Sequence, residues 1–221
     1  MARPKAVDYD DQRDRILALA TQAFSEIGYP SASMAQLAQA CGTSKARLYH
    51  YFPSKESLLF ESLDRYVRRL VALVDAVRAR GLAPREELAA LVRALLIEYR
   101  DSRERHVALL NDVKFLAPGQ RERIESQQRA VVDAVADTLE RVAPGRFAAG
   151  ERKPATMALF GMINFTFAWL RPDGPMSYER YAELVIELWE RGVVMAEPAA
   201  PAAPGALAEP ARPQAARRTG T

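Results

Sequence analysis

Residues 33 to 55 constrain the fold more than any other part of this chain. They read SMAQLAQACGTSKARLYHYFPSK and contain no Asp or Glu, although acidic and basic residues nearly balance over the whole chain, at 28 and 31. Ser33 has the features of a helix N-cap, with Gln36 as its capping-box partner. Gly42 supplies a turn, and Ser44 caps a second short helix. Two short helices joined by a glycine turn are the layout of a helix-turn-helix.

The flanking sequence predicts two longer helices. From Asp11 onward, apolar residues recur at helical spacing up to Gly28, which is a natural stop. On the other side, Ser54 caps a fourth helix, with Ser57 too short to complete a capping box. We therefore predict a three-helix DNA-binding domain over residues 11–56, and a fourth helix over 54–80 that links it to the rest of the chain.

The remainder of the chain predicts further helices and no strands, because no segment alternates apolar and polar residues with turn dipeptides. The fold class is therefore all-α, with a second helical domain over residues 57–196. Residues 197–221 are rich in Pro and Ala and include Arg212, Arg217 and Arg218. Such a tail is expected to be disordered. The five helices expected beyond Gly81 are Pro84 to Asp101, Glu104 to Leu116, Gly119 to Val142, Pro154 to Leu170 and Ser177 to Met195.

Several classes of protein find no support in the sequence. It has no apolar run long enough for a membrane span and no secretory signal, so a cytoplasmic location is expected. Cys41 is the single cysteine, which rules out an internal disulfide and favours a small buried residue over a redox sensor. His106 has no partner at metal-ligand spacing. With no catalytic grouping or phosphate loop either, we expect no metal, no cofactor and no enzyme activity.

The N-terminal quarter of the chain resembles a known family. Ile16 to Gly28, then SMAQLA, then CGTSKARLYHYFPSKESL closely resemble the DNA-binding domain of the TetR/AcrR family of bacterial transcriptional regulators. This resemblance implies a homodimer that pairs through its last two helices, binds a palindromic operator in double-stranded DNA and responds to a small effector. The segment LFGMINFTFAWLRPDGPMS is also similar to family members that respond to acyl-CoA thioesters.

The same resemblance proposes residues for the DNA interface, because the start of the third helix should approach base edges in the major groove. Arg47 could pair with guanine or touch only phosphate, and both remain open. Lys45 is expected to contact phosphate, and Lys55 to clamp one phosphate together with the backbone amides of its helix N-terminus. Tyr51 is expected to pack rather than bind. The candidate set is Ser33, Thr43, Ser44, Lys45, Ala46, Arg47, Tyr49, His50 and Lys55.

A ligand site should have apolar walls and a few polar anchors. Candidates are therefore polar or aromatic residues on otherwise apolar helix faces, although each could equally be an ordinary core residue. Gly161, in the middle of a helix, suggests either a close helix approach or space for a ligand, since glycine there costs about 1 kcal/mol relative to Ala. The predicted ligand-binding residues are Tyr99, Asn111, Phe115, Met157, Phe160 and Asn164, with Phe167 beside them.

The sequence therefore predicts a homodimeric DNA-binding regulator. We expect a repressor that a small hydrophobic effector releases from its operator, with an acyl-CoA as one candidate. Two alternatives stay open: a drug-responsive repressor of an efflux gene, and a DNA-binding protein without an effector.

Overall fold

The computed structural model describes residues 4–148, 150–171 and 173–194, and within these ranges it contains helices and no strand. A 3-10 turn, Val113–Phe115, follows the sixth helix, and a π-type turn, Glu190–Val194, follows the last one. The predicted disordered tail, residues 197–221, lies outside the described residues. The helices are α1 Pro4–Ile27, α2 Met34–Ala40, α3 Lys45–Tyr51, α4 Lys55–Arg78, α5 Pro84–Asp101, α6 Arg103–Asn111, α7 Pro118–Val142, α8 Arg152–Asn164, α9 Thr166–Trp169 and α10 Tyr178–Trp189.

The first three helices pack around a small apolar core and against the start of α4. Leu37 of α2 and Leu48 of α3 are fully buried beside Ile16 of α1. Thr21 of α1 and Ser62 of α4 share a buried hydrogen bond of 2.7 Å between their hydroxyls. Burial of these apolar faces supplies most of the stability, because helices of seven residues do not persist alone.

The fourth helix belongs to both halves of the molecule. Its N-terminus is capped by Ser54, and the Ser57 hydroxyl does complete the capping box, accepting from the Ser54 N–H at 3.2 Å. Farther along, the buried carboxylate of Asp64 accepts two hydrogen bonds from Arg123 of α7, at 2.8 and 3.1 Å. A rotation or shift of α4 therefore acts on both halves.

The structure corrects the expected single helix from Pro154 to Leu170. Helix α8 ends at Asn164, and the short α9 begins at Thr166. A continuous helix would use the carbonyls of Ile163 and Asn164 for its own backbone. Here the Thr166 hydroxyl donates to the Ile163 carbonyl at 3.0 Å, and a ring nitrogen of His106 donates to the Asn164 carbonyl at 3.0 Å. Side chains thus satisfy the carbonyls that the break leaves free.

Other helix boundaries also differ from the sequence prediction. Helix α1 begins at Pro4, seven residues before the predicted start at Asp11. Helix α6 ends at Asn111 instead of running to Leu116, and the chain continues into the 3-10 turn. The last helix ends at Trp189 and a π-type turn continues for five residues to Val194, while the predicted end at Met195 lies outside the described residues. Such turns are common where a helix finishes, because i+3 and i+5 bonds compete with the α-helical pattern there.

Candidate DNA interface and internal cavity

The turn between α2 and α3 has a geometry that fixes the angle between these helices. Gly42 adopts a φ of +62°, in the left-handed region that residues with a Cβ rarely enter. Its N–H donates to the Gln39 carbonyl at 3.0 Å, and the Thr43 N–H donates to the Ala38 carbonyl at 2.9 Å. This pair of bonds is a Schellman C-cap. The glycine predicted from sequence is therefore the residue that allows α3 to leave α2 at a sharp angle.

Helix α3 has an inner and an outer side. Leu48 is buried in the core, whereas Lys45, Ala46, Arg47, Tyr49 and His50 are exposed. The Lys45 ammonium lies 5.9 Å from the centre of the Tyr49 ring, so these two form one edge of the outer side. Four of the five outer side chains carry hydrogen-bond donors, and Lys45 and Arg47 are cations, as a surface for phosphates and base edges requires.

The two serines predicted for this interface are helix caps. The Ser33 hydroxyl accepts from the Gln36 N–H at 3.3 Å, and the Gln36 side chain closes the capping box. The Ser44 hydroxyl accepts from the Arg47 N–H at 3.1 Å. Thr43 is half-buried in the turn. The Ser33 hydroxyl also donates to the Gln36 side-chain oxygen at 2.7 Å, so it would have to give up this bond to donate to a phosphate. A phosphate contact remains a prediction for these residues.

Tyr51 packs as expected, and α1 supports α3 from behind. The Tyr51 ring lies 4.8 Å from the Tyr9 ring, which also meets His50 edge-on at 6.0 Å.

Cys41 is buried with its thiol against the Ile16 carbonyl at 3.5 Å, and burial raises the pKa of that thiol. A raised pKa keeps the thiol protonated and unreactive, which agrees with a packing role.

Lys55 does not face outward as a phosphate clamp requires. Its ammonium donates to the carbonyls of Tyr29, Pro30 and Ala32 at 3.0, 3.1 and 3.1 Å. The same nitrogen lies 4.7 Å from the centre of the Tyr29 ring. An ammonium has three N–H donors, and all three are used. In this structure Lys55 therefore fixes the loop between α1 and α2, and its expected phosphate contact stays a prediction.

Lys55→Met is expected to lower the free energy of unfolding by about 1–3 kcal/mol, because three carbonyls lose a charged donor. Urea unfolding followed by circular dichroism measures the change. Lys45→Met is the matched control, since the Lys45 side chain is exposed, and it should stay within about 0.5 kcal/mol. Unchanged stability together with weakened DNA binding in Lys55→Met would instead support a contact between Lys55 and a phosphate.

A cavity of about 510 Å³ lies in the C-terminal half, between α4, α5, α6, α7 and α8. Its inner wall is apolar and buried, and includes Val67, Leu70 and Leu109. Its outer rim carries charged side chains that are exposed to solvent. The rim residues are Arg129 and Asp133 of α7 and Lys153 of α8. Apolar walls with a few polar groups at one end suit an amphipathic small molecule.

The structure brings together four of the six predicted ligand-binding residues. Tyr99, Met157, Phe160 and Asn164 all line the cavity. The prediction was wrong for Asn111, which is exposed and whose side-chain amide donates to the Val107 carbonyl at 3.0 Å.

The prediction was also wrong for Phe115, which lies in the 3-10 turn after α6 and does not line the cavity. Its ring stacks on Tyr29 at 5.2 Å between centres. It therefore contacts the loop that precedes the helix-turn-helix. Phe167 meets His106 edge-on at 6.3 Å, at the back of the cavity wall.

Sequence reasoning missed the most connected residue of the cavity, His106. Its Nε2 lies 3.0 Å from the Asn164 carbonyl, which can only accept, so Nε2 carries the proton. Its Nδ1 therefore accepts from the Tyr66 hydroxyl at 3.2 Å. The ring also stacks on Tyr99 at 3.8 Å. The residue was considered only as a metal ligand, and nothing in the sequence showed that four helices meet around it.

Burial lowers the pKa of His106 to about 4. The unfolded imidazole binds a proton below pH 6.5, whereas the folded one stays neutral until about pH 4. This residue therefore stabilises the fold fully above pH 6.5, and its contribution of about 3 kcal/mol is lost as pH falls from 6.5 to 4.

We expect the free energy of unfolding of His106→Gln to change less with pH than that of the wild type over this range. Urea unfolding at pH 7 and pH 4.5 measures the change in both proteins. Parallel losses in both proteins would contradict the assignment.

A second, larger depression of about 1020 Å³ runs along α4, α5 and α10, but it is an open groove. Four of its ten charged side chains form two ion pairs with one another. Arg93 donates to Glu183 at 2.5 and 2.8 Å, and Arg69 donates to Glu98 at 2.8 Å. An open, strongly charged groove encloses a small molecule less well than an apolar cavity does, so the smaller cavity is the stronger candidate site.

The described residues contain no group of three His, Cys, Asp or Glu side chains able to hold a metal ion. None of the described helices combines the length and the apolar character needed to cross a membrane.

Comparison with known proteins identifies the family. The family described as "Bacterial regulatory proteins, tetR family" matches residues 16–61, which contain the helix-turn-helix. The family described as "Tetracyclin repressor-like, C-terminal domain" matches residues 81–193, about half of the chain. The chain therefore belongs to the TetR family of helix-turn-helix transcriptional regulators, and both the family and the all-helical fold predicted from sequence are confirmed.

Particular relatives support this assignment over most of the chain. A TetR-family regulator from Bordetella parapertussis 12822 is 35% identical, with a TM-score of 0.76 over 80% of this chain and 93% of that one. The transcriptional activator FasR from Mycolicibacterium smegmatis is 29% identical over 80% of this chain and 81% of its own. AibR, solved with isovaleryl coenzyme A and operator DNA, shares the fold at 24% identity and a TM-score of 0.71, over 80% of this chain and 97% of that one.

Proposed function

We propose that this regulator is a homodimeric repressor, and that a small amphipathic effector releases it from a palindromic operator. The observation that carries the proposal is the cavity of about 510 Å³, which touches α4, the helix shared with the DNA-binding half. An apolar pocket of this volume with polar groups at its mouth is the usual form of a small-molecule site. A protein that binds chromosomal DNA acts in the cytoplasm of a bacterium.

An exposed apolar face supports the dimer. Met162 of α8, Phe165 between the two helices and Trp169 of α9 are 37%, 58% and 52% exposed. The Trp169 ring lies 4.9 Å from the Tyr181 ring of α10. Leu184 and Leu188 follow Tyr181 at helical spacing, and Leu188 is 51% exposed. Large clustered apolar side chains in water mark an interaction surface. We assign this face to the contact between two copies, which would place one α3 on each side of a two-fold axis.

Gly161 fits the same assignment. It is exposed, and a Cβ added to it would meet nothing within 4 Å in its own chain. The close approach suspected from the sequence is therefore not made within one chain. Gly161 and the neighbouring Ala158 leave a part of the apolar face without large side chains, where a helix of the second copy could pack closely. Small residues of this kind allow helix backbones to pack closely.

The cavity favours an effector with an apolar body and a polar head. The inner wall offers leucine, valine and aromatic side chains, and the rim carries charges of both signs: Arg129, which pairs with Glu122, and Lys153, beside Glu125 and Asp133. Acyl-CoA thioesters combine an acyl chain with phosphates, and they have the required shape. AibR was solved with such a thioester, which makes this class the first to test. A drug-like effector of an efflux regulator would use the apolar wall without the cations.

Contacts between the two halves supply a path for the response. Besides α4, the segment between α6 and α7 touches the DNA-binding half at two points. Phe115 stacks on Tyr29, and the Ala117 N–H donates to the Glu56 carboxylate at 2.7 Å. Both α6 and α7 line the cavity. A ligand that spreads these helices would move the loop before α2, and two half-sites one DNA turn apart tolerate little displacement.

The test is fluorescence anisotropy of the full-length protein on labelled DNA from upstream of its own gene, with and without a panel of acyl-CoA thioesters. We expect specific, salt-sensitive binding that one thioester class weakens about 5- to 150-fold. Release by drug-like compounds alone would move the efflux alternative to the front. Tighter DNA binding with ligand would contradict release by the effector, because the ligand would then promote operator binding. If no ligand changes the affinity for DNA, the proposal that an effector controls operator binding is overturned.

A further inference from the structure

Tyr99 of α5 places an unpaired hydroxyl in the wall of the cavity. The residue is 4% exposed and lines the cavity, and its hydroxyl makes no hydrogen bond to a described residue. Among the described residues, the side-chain atoms that lack a partner and are also fully inaccessible belong to Gln120 and Asn164. The Tyr99 oxygen is not one of these, so it keeps accessible surface. In a residue this deeply buried, that surface opens into the cavity.

The neighbours of Tyr99 hold its ring and leave its hydroxyl free. The ring stacks on His106 with 3.8 Å between the ring centres and 18° between the planes. Both nitrogens of that imidazole are already used, Nδ1 by the Tyr66 hydroxyl and Nε2 by the Asn164 carbonyl. A phenolic oxygen lies on the axis of its ring, so a held ring also holds the oxygen. The partner of this hydroxyl is therefore a molecule inside the cavity.

The Tyr99 hydroxyl is suited to act as a hydrogen-bond donor. Burial raises the pKa of Tyr99 well above its usual range, so the phenol stays protonated at physiological pH. Its oxygen shares lone-pair density with the ring, which makes it a better donor than acceptor. The apolar surroundings strengthen such a bond relative to water. They also disfavour an anion as the acceptor, because a buried charge would lose its hydration.

We infer that Tyr99 determines the specificity of this cavity by donating its hydroxyl to the carbonyl oxygen of an uncharged carbonyl compound. The inference rests on the proposed ligand-binding role of the cavity. An acyl-CoA meets the requirement with its thioester carbonyl, at the point where the apolar acyl chain begins. Ketones and esters meet it as well. Hydrocarbons offer no oxygen, so they use the apolar wall alone.

The probes are 2-heptanone and 2-methyl-1-heptene, in which a CH₂ group of similar size replaces the carbonyl oxygen. Full-length protein is titrated into each compound in a calorimeter, since the alkene is sparingly soluble. Tyr99→Phe removes the hydroxyl and keeps the stacked ring. This variant should bind the ketone about tenfold more weakly than the wild type does, because one buried hydrogen bond is lost. Its affinity for the alkene should stay within about twofold of the wild-type value.

Tyr66→Phe is the matched control. The Tyr66 hydroxyl is buried, bonds to His106 Nδ1 and lies outside the cavity lining. Its removal should lower the melting temperature, because the imidazole loses a donor, and should leave the ratio of ketone to alkene affinity unchanged. Tyr99→Phe should melt no lower than the wild type without ligand, since the hydroxyl that it removes is unpaired within the described residues.

Infrared spectroscopy tests the bond without any variant. For 2-heptanone labelled with carbon-13 at the carbonyl and bound to the wild type, the carbonyl stretching band should lie at lower frequency than in hexane. A hydrogen bond to the oxygen weakens the C=O bond and so lowers this frequency. In the Tyr99→Phe complex the band should move back toward its position in hexane.

Several results would overturn the inference. Equal losses of ketone and alkene affinity in Tyr99→Phe, or no loss of either, would remove the carbonyl contact and leave the ligand site standing. A carbonyl band at the hexane position in the wild-type complex would do the same. A lower melting temperature for Tyr99→Phe with unchanged ketone affinity would assign the hydroxyl a structural role. Binding of neither compound, with operator binding intact, would overturn the ligand site itself and with it the proposed function.

Discussion

Phe165→Glu is expected to convert the protein to a monomer and to weaken operator binding by about 100-fold or more. In the proposed dimer this side chain, 58% exposed in one chain, lies in the apolar face, where a carboxylate would be desolvated without a partner. A monomer engages one half-site, so the gain from binding two linked half-sites, about 10² to 10⁴ in affinity, is lost. Sedimentation equilibrium measures the mass, and anisotropy measures the affinity.

Ser126→Glu is the control for this prediction. It adds the same charge at an exposed position of α7, outside the apolar face of α8, α9 and α10. This variant should remain dimeric and bind the operator normally. If Phe165→Glu also stays dimeric and binds the operator like the wild type, the face formed by Met162, Phe165, Trp169 and Leu188 is not the dimer contact.

Arg47→Ala and Tyr49→Ala should separate recognition of bases from recognition of backbone. If Arg47 pairs with a guanine, its loss costs about 1–3 kcal/mol on the operator and relaxes the preference at one base pair. Tyr49→Ala removes a phosphate donor and should weaken binding to all sequences alike. Anisotropy on the operator, on operators altered at single positions and on random DNA measures both effects.

The salt dependence of binding adds a control for the same surface. Lys45→Ala should lower the slope of log affinity against log salt by about one, because one phosphate contact fewer releases one counterion fewer. Arg47→Ala should leave the slope nearly unchanged if the guanidinium contacts a base. Equal losses on operator and random DNA for both Arg47→Ala and Tyr49→Ala would contradict the division of roles.

The helix-turn-helix could be predicted from sequence because its signals are local. Ser33, Gln36, Gly42 and Ser44 act on backbone groups three to five residues away, so their spacing along the chain determines their geometry. The structure has all four in the predicted roles. Exposure of the outer side of α3 follows from the same helical period, since Leu48 must face the core.

The parts that could not be predicted depend on contacts between distant segments. Lys55 has the sequence context of a phosphate-binding helix start, but carbonyls 23 to 26 residues away take its ammonium. Phe115 looked like a cavity residue because the sixth helix was expected to include it. The earlier end of that helix turns its ring toward Tyr29 instead.

The cavity itself shows the same limit. The helical period identified Tyr99, Met157, Phe160 and Asn164 as unusual residues on apolar faces, and all four line one space. It gave no reason to join them to His106, whose partners Tyr66 and Asn164 are 40 and 58 residues away. The break between α8 and α9 depends partly on that imidazole, so no local signal could place it.

The central claim is that the cavity and the DNA interface are coupled, and a linkage measurement tests it most directly. The dissociation constant of a thioester that binds the free dimer is measured by calorimetry on the free dimer and on the dimer saturated with operator. The account predicts that the operator complex binds this thioester about 5- to 150-fold more weakly. The same affinity for the free dimer and for the operator complex would contradict it.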